Sequence, residues 1–379
     1  MEKSAKTQVL NSQEEAKNDA SEKAQNFSQA FQLVTSAALP MVLYTAVKLK
    51  LFEIIADAAP EKNKLSALEI ASKLQSKNPE ASSIIDRMLC LLSSYSVFTY
   101  DVVEVASSAG GAASGGGVRY ERVYGLSPVG EFFLPNEEGN SIGNMVELLQ
   151  DRVTLDNWYE LGNCILEGGT PANRLYGMSL FEYAGKDARF NELANKGMAG
   201  RTKITMELLL EEYKGFDDIE TLVDVGGGLG TTLHSITSKY PSIKGINFDL
   251  PHVVKNAPSY PGVTHIEGDM FESVPKGDAI LLNRTLHDWS DSECLTILKN
   301  CFKAIPDNGK VIVFEFILPS NPDTNTNSRS VYQIDAVMMI IGGKERSEAD
   351  FEALAIGAGF KGIRSKIRVG TFGVIEMYK

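Results

Sequence analysis

Leu222-Val223-Asp224-Val225-Gly226-Gly227-Gly228-Leu229-Gly230 is the stretch whose reading decides the fold. Apolar residues around a single acid predict a short buried strand, which the glycines turn sharply into a helix beginning near Thr231. Glycine suits such a turn because the backbone takes tight dihedrals and a ligand approaches the main chain closely. The spacing is Gly-x-Gly-x-Gly, and Thr231 stands where a Gly-x-Gly-x-x-Gly dinucleotide turn has its third glycine. No Gly-Lys-Ser/Thr ending follows, which excludes a phosphate-cradling P-loop. The turn suits a nucleoside-bearing ligand without a pyrophosphate.

The residues that follow support this. Ile243 to Phe248 reads as a second strand ending in Asp249, where an acid can accept hydrogen bonds from both ribose hydroxyls. A third strand, Val263 to Ile266, leads into Gly268-Asp269-Met270, a carboxylate and a thioether suited to an adenine amino group and ring face. Either acid alone is equally well explained as a cap or turn residue. Both together, at successive strand ends behind a glycine turn, favour binding, and S-adenosylmethionine fits the description.

Farther out, strands are predicted at 221–225, 243–248, 263–266, 278–282, 310–317, around 362–368 and at 372–378, alternating with helices. That is an α/β, mostly parallel, doubly wound Rossmann-like domain over 216–379, whose ligands sit beyond the carboxyl ends of the strands. Residues 136–215 read as a helical linker region contributing to a substrate pocket. Residues 26–135 begin helically, with Pro40 marking a break, and continue through short helices at 66–74 and 82–92. Strands at 98–105 and 118–126 then flank a Gly/Ala/Ser tip at 107–117. This is a winged-helix-like arrangement. Its second helix carries only Arg87 and a largely apolar surface, which fits packing or dimerisation better than nucleic acid.

A net charge of −12 over 379 residues also argues against a polyanionic partner. Residues 1–25, polar and without an apolar signal core, read as a disordered lead. No apolar run reaches transmembrane length, and Cys90, Cys164, Cys294 and Cys301 lack metal-type spacing. The expectation is a cytoplasmic protein with no membrane partner.

Three residues carry candidate chemistry. His287 stands just past the strand at 278–282, on the side where the glycine turn holds its ligand. Glu315 is a lone acid in the apolar run Val311–Ile317, and a buried acid must be paired or protonated. Glu345, in Gly342-Gly343-Lys344-Glu345-Arg346, is by default an exposed loop charge. The other histidines, His234, His252 and His265, are better explained by packing or capping.

From about Phe27 onward the chain resembles the plant S-adenosylmethionine-dependent O-methyltransferases of the caffeic acid and flavonoid type. The resemblance rests on Leu-Val-Asp-Val-Gly-Gly-Gly (222–228), Asn-Phe-Asp-Leu-Pro-His-Val (247–253), Gly-Asp-Met-Phe (268–271), Leu-His-Asp-Trp-Ser-Asp (286–291), Asp-Asn-Gly-Lys-Val-Ile-Val (307–313) and Gly-Gly-Lys-Glu-Arg (342–346). It implies a homodimer, a winged-helix-like dimerisation domain and a C-terminal S-adenosylmethionine domain. It implies His287 as general base flanked by Glu315 and Glu345, without a metal. Cofactor contacts are implied at Gly226, Asp249, Leu250, Asp269, Met270 and Asn283.

Departures from the family pattern bear on substrate. Asn283-Arg284 replaces the usual Lys-Trp, so Asn283 becomes a neutral donor and Arg284 stands where the Trp would, in reach of adenine. Leu148-Leu149 replaces a Met-Asn pair, Ala184 replaces a His, and the segment Asp335–Glu345 reads as a shortened loop. The expected lining of Leu148, Leu149, Leu180, Phe190, Ala194, Met198, Ile334, Val337 and Met338 is apolar, with Arg201 as the exception for an acidic or carbonyl group. A larger apolar phenol, such as a flavonoid, coumarin, stilbenoid, phenylpropanoid derivative or alkaloid, is therefore expected over a free hydroxycinnamic acid. The alternatives are N-methylation of an arylamine and a catalytically diverged cofactor-binding relative.

Overall fold

The computed structural model describes residues 21–58, 62–105, 119–137, 139–255 and 257–379. It divides into two compact units, one up to Leu134 and one from Pro135. The first unit contains helices Ser21–Val34, Ala38–Lys48, Leu51–Ala58, Ala67–Lys73 and Ala81–Ser94. Strands β1 (Leu65–Ser66), β2 (Phe98–Val105) and β3 (Arg119–Leu126) form an antiparallel sheet in the order β1-β3-β2. Helices followed by a two-stranded wing match the expected arrangement. Phe52 anchors the core, its ring stacked on Phe98 at 4.9 Å and on Phe133 at 5.0 Å.

Two expectations are corrected here. Helix Ser21–Val34 begins inside the stretch read as a disordered lead, of which residues 1–20 lie outside the described residues, as does the whole 107–117 tip. The helical break falls at 35–37, with a bend of 49°, and not at Pro40. Pro40 is the third residue of helix Ala38–Lys48, where its missing N–H has no intrahelical acceptor to lose.

The second unit is built on strands β4 (Thr221–Val225), β5 (Lys244–Asp249), β6 (Val263–Glu267), β7 (Ala279–Asn283), β8 (Lys310–Leu318), β9 (Arg346–Ser347), β10 (Gly362–Val369) and β11 (Phe372–Tyr378). Their order is β10-β11-β8-β7-β4-β5-β6, with β9 beside β8. From β8 to β6 the pairing is parallel, whereas β11 runs antiparallel to both β8 and β10. Apolar runs such as Ala279–Leu282 and Val311–Phe314 bury both faces, alternate residues entering two separate cores. Val223, Ile280, Leu282, Val311 and Val313 enter one; Leu222, Leu281, Ile312 and Phe314 enter the other. β4 lies between β5 and β7, so the strand order reverses there and a crevice opens beyond its carboxyl end.

Helices Gly143–Leu149, Arg152–Glu167, Pro171–Tyr176, Leu180–Lys186 and Ala188–Glu212 belong to this same unit. Helix Ala188–Glu212 comes close to its neighbours through small residues: a Cβ on Gly200 would stand 2.5 Å from the Ser141 carbonyl oxygen. The segment read as a loop from Asp335 is instead the last part of helix Thr326–Ile341, and only 343–345 are irregular. Gly342, left-handed at φ 91°, ends that helix. The adjacent glycines made the stop legible, but they masked the helical spacing of Met338 and Ile341 before it.

Candidate active site

The glycine turn leaves β4 at the reversal point. Gly227 is required by space: a Cβ there would stand 2.1 Å from Asn247 Oδ1 and 2.8 Å from Asp224 Oδ2. Gly228 is required by conformation, at φ 60°, and nothing lies within 4 Å of where its Cβ would stand. Its peptide is held on both sides. Its N–H donates to Asp249 Oδ2 at 2.8 Å, and its carbonyl accepts from Asn247 Nδ2 at 2.8 Å.

Asn247 was not singled out by sequence, and neither was the role of His265. The Pro258 carbonyl faces His265 Nε2 at 2.9 Å and can only accept, so Nε2 carries the proton. Nδ1 is then left to accept from Asn247 Nδ2 at 3.1 Å. His265 is a support of the turn through Asn247. A buried amide flanked by apolar strand residues, Ile246 and Phe248, was the available signal.

Asp249 Oδ1 also accepts the Leu250 N–H at 2.7 Å, and the half-exposed Leu250 side chain flanks it. Asp269 Oδ1 accepts the Phe271 N–H at 2.8 Å, while Met270 packs on the edge of the core below. The two strand ends are tied by Gly268 N–H on the Asp249 carbonyl at 3.0 Å. Asn283 Nδ2 donates to Thr232 Oγ1 at 3.0 Å, and its buried Oδ1 has no partner. Arg284 is not free to stack on adenine: its Nη2 donates to Thr202 Oγ1 at 2.6 Å. Asp224 is wholly buried with both carboxylate oxygens unpartnered. Burial, reinforced by the Asp249 charge, pushes its pKa up to about 8.

His287 lies on the 3₁₀ turn Leu286–Asp288 that follows β7. It, Glu315 and Glu345 are all buried and converge. Nδ1 donates to Glu345 Oε1 at 2.9 Å and lies 3.6 Å from Glu315 Oε2, and Nε2 is 3.6 Å from Asp288 Oδ1. Glu345 is thus not the exposed loop charge of the default reading. Desolvation opposes charge on the ring, but Glu315 and the Glu345 hydrogen bond outweigh it and raise the His287 pKa to about 9. Burial raises Glu315 to about 7 despite the favourable pull of His287. Asp288, which sequence reading passed over, is likewise raised by burial.

The turn is clamped from outside by Arg346, buried to 1% exposure. Its guanidinium donates to the Leu286 and Trp289 carbonyls at 2.7 Å each and to Asp291 at 2.8 Å. Glu315 Oε1 accepts the Leu286 N–H at 2.9 Å. Among the described residues His287, Glu315 and Glu345 are the trio whose ligand atoms approach closely enough to share a metal ion. Their Nδ1–Oε1 contact is itself a hydrogen bond.

Of the expected substrate-lining residues, Leu148, Leu149, Leu180 and Phe190 fall in one apolar cluster, Leu148 and Phe190 buried within it. Met338 is buried beside Gly343, and Ile334 is part-buried on the same helix. Met198 is half-exposed, with its sulfur 3.3 Å from Arg201 Nη2.

A glycine turn open at Gly228, an acid at each of two successive strand ends and a thioether beside them are the donor set of a nucleoside site without pyrophosphate. These residues fit S-adenosylmethionine, which Gly226, Asp249, Leu250, Asp269, Met270 and Asn283 would hold. Fold and site together define an S-adenosylmethionine-dependent methyltransferase.

The comparisons carry this further. Residues 158–361 match the model of the O-methyltransferase domain, and residues 31–136 that of the O-methyltransferase dimerisation domain. A catechol O-methyltransferase of Solanum lycopersicum is 52% identical over 367 residues, 93% of this chain and 95% of that protein. A caffeic acid 3-O-methyltransferase of Prunus dulcis is 51% identical over 92% of this chain and 93% of its own. In fold, the chain is similar to CalO1, a methyltransferase of calicheamicin biosynthesis, at TM-score 0.74 and 21% identity over 94% of this chain and 98% of that one. Human N-acetylserotonin methyltransferase, solved with S-adenosylmethionine, gives 0.72 and 20% over 93% and 98%. The chain belongs to the O-methyltransferase family. It is an S-adenosylmethionine-dependent O-methyltransferase acting on a small molecule, its dimerisation domain supports a homodimer, and the N-methyl alternative is not favoured.

Proposed function

We propose that the acceptor is a phenolic hydroxyl on an apolar plant secondary metabolite (flavonoid, coumarin, stilbenoid, phenylpropanoid or alkaloid) and that His287 takes its proton. The observation that carries this reading is the His287–Glu345 hydrogen bond at 2.9 Å. It occupies Nδ1 and leaves Nε2 as the nitrogen that meets the acceptor hydroxyl. Leu148, Leu149, Leu180, Phe190, Met198, Ile334 and Met338 supply the apolar surroundings suited to a ring system larger than a free hydroxycinnamic acid. A cytosolic setting belongs to the same proposal, in keeping with four unpaired cysteines.

S-adenosylmethionine, when bound, supplies an electrophilic methyl group on a sulfonium. The protein's own task is the proton. A phenol near pKa 10 facing a free histidine near 6.5 would cost roughly 5 kcal/mol for prior transfer. With His287 raised to about 9 the gap narrows to roughly 1.4 kcal/mol for the neutral ring, the form able to accept a proton at Nε2, whose population grows as pH rises toward 9. Glu345 and Glu315 stabilise the imidazolium as the phenol oxygen loses its proton to Nε2. Burial of all three groups excludes water and keeps the acceptor oriented.

The test is incubation of the full-length protein with methyl-labelled S-adenosylmethionine and a panel of catechols, monophenols and arylamines, with products read by mass. A methylated phenol, reduced roughly 10²- to 10⁴-fold in rate by His287→Ala, is expected. Label on nitrogen alone, or an unchanged rate in the variant, overturns the reading.

A further inference from the structure

Arg284 is the least expected residue of the site. It leaves β7 with φ 54°, a left-handed conformation that non-glycine residues rarely take. Its backbone N–H is fixed on the Phe314 carbonyl at 2.9 Å, and its side chain runs inward to 8% exposure. Only Nη2 finds an acceptor, Thr202 Oγ1; Nε and Nη1 are buried with none. Arg201, adjacent to Thr202, repeats the pattern. Its Nη2 reaches only the Met198 sulfur, and its Nε is buried without a partner. Among the described residues neither arginine appears in an ion pair, although the buried Arg346 does, on Asp291.

A guanidinium does not lose its proton at neutral pH, so two of them turned inward need an anion. The acids of the site do not provide it. Glu345 is held by His287, Glu315 accepts the Leu286 N–H, and Asp224 is kept largely protonated by burial. Asp288, the acid whose charge bears most on Arg201, has its close contact with His287 Nε2 at 3.6 Å and forms no ion pair with either arginine. Planar forks with unused N–H groups match the two oxygens of a carboxylate.

We propose that Arg284, with Arg201 beside it, is a carboxylate receptor that binds the anionic end of a ligand in this site. The inference rests on the O-methyltransferase reading only for the two ligands that could bring that carboxylate: the amino-acid end of the cofactor, and an acid group on the methyl acceptor. Arg284 is thereby a binding and specificity residue, set apart from the proton chemistry of His287.

Calorimetric titration of the full-length protein with S-adenosylhomocysteine, its decarboxylated analogue, 4-hydroxycinnamic acid and the methyl ester of that acid tests this. If the carboxylate is the cofactor's, Arg284→Gln weakens S-adenosylhomocysteine roughly ten- to a hundredfold and leaves the decarboxylated analogue unchanged. If it is the acceptor's, S-adenosylhomocysteine is unaffected, and a wild-type preference for acid over ester disappears in the variant. Arg284→Lys, which keeps the charge without the fork, recovers part of either loss. Because Gln removes a desolvated charge, the ligand-free variant should melt no lower than the wild type. Equal acid-to-ester and acid-to-decarboxylated ratios in wild type and variant overturn the proposal. So does a loss shared by all four probes together with a lowered melting temperature, which marks a structural role. Selective carboxylate binding without methyl transfer to any hydroxyl would leave the receptor standing and sink the phenol reading instead.

Discussion

At the scale of single residues, the proton-handling group is defined by what surrounds it. His287 titrates near 9 because three carboxylates, Glu315, Glu345 and Asp288, outweigh its desolvation. Its pKa is above the unfolded value near 6.5, so its contribution to stability is full below pH 6.5 and is lost as pH rises through 9. Glu345→Gln should move the ring's NMR titration down toward 6.5 and shift the rising limb of the pH–rate profile to lower pH. The maximal rate should drop about tenfold, since an orienting partner is lost. An unmoved titration would mean that Glu345 does not govern the ring. Asp224 is the opposite kind of group, an acid kept neutral. Its folded pKa of about 8 exceeds the ordinary aspartate value of 3.8, so it stabilises fully below pH 3.8 and costs progressively more up to pH 8. Asp224→Asn should therefore gain on the wild type by up to about 5 kcal/mol between melts at pH 4 and pH 8. A pH-independent difference would show that Asp224 ionises freely. Sequence pointed to His287 and Glu315 because a strand end and a lone acid in an apolar run are local signals. It could not reveal that Glu345 is buried, because that depends on residues 58 positions apart meeting.

At the scale of elements, the two turns that make the site are built differently. The glycine turn was legible because the chain conformation itself demands glycine at 228 and space demands it at 227. Gly227→Ala should abolish S-adenosylhomocysteine binding or lower it by at least about tenfold, the collision with Asn247 displacing the turn; calorimetry reads this directly. The 3₁₀ turn of His287 carries no such signature, since Arg346 holds it through backbone carbonyls that any sequence would offer. Arg346→Ala removes the guanidinium from those carbonyls and from Asp291, which keeps Lys344 as its other donor, and should cost about 2–4 kcal/mol of stability by thermal melt. Seven strands of the sheet were predicted to within a residue, the parallel ones because buried parallel strands are short apolar runs, whereas the two-residue β9 was missed. Helix Thr326–Ile341 was cut short in the reading because Gly342-Gly343 drew its boundary too early.

At the scale of the molecule, each unit encloses its own core, one gathered around Phe52 and the others on the two faces of the sheet. The wing and helices of the first unit share an outline with DNA-binding modules, yet helix Ala81–Ser94 presents Arg87 as its one cation and the chain carries a net charge of −12. Duplex DNA should bind no more tightly than about 10⁻⁴ M at physiological salt, as fluorescence anisotropy would read. In the second unit, the residues that grip the His287 turn begin two positions after helix Thr326–Ile341 ends. The Gly343 backbone lies so near the His287 carbonyl that a Cβ would stand 2.3 Å away, and the Lys344 N–H donates to that same oxygen at 2.9 Å. Ile334 and Met338 lie on that helix. One extra residue inserted there would rotate everything after it by about 100° and slide it about 1.5 Å. The grip on His287 would then lose its register. Descendants of this sequence can diversify that wall by exchanging side chains, but not by changing its length.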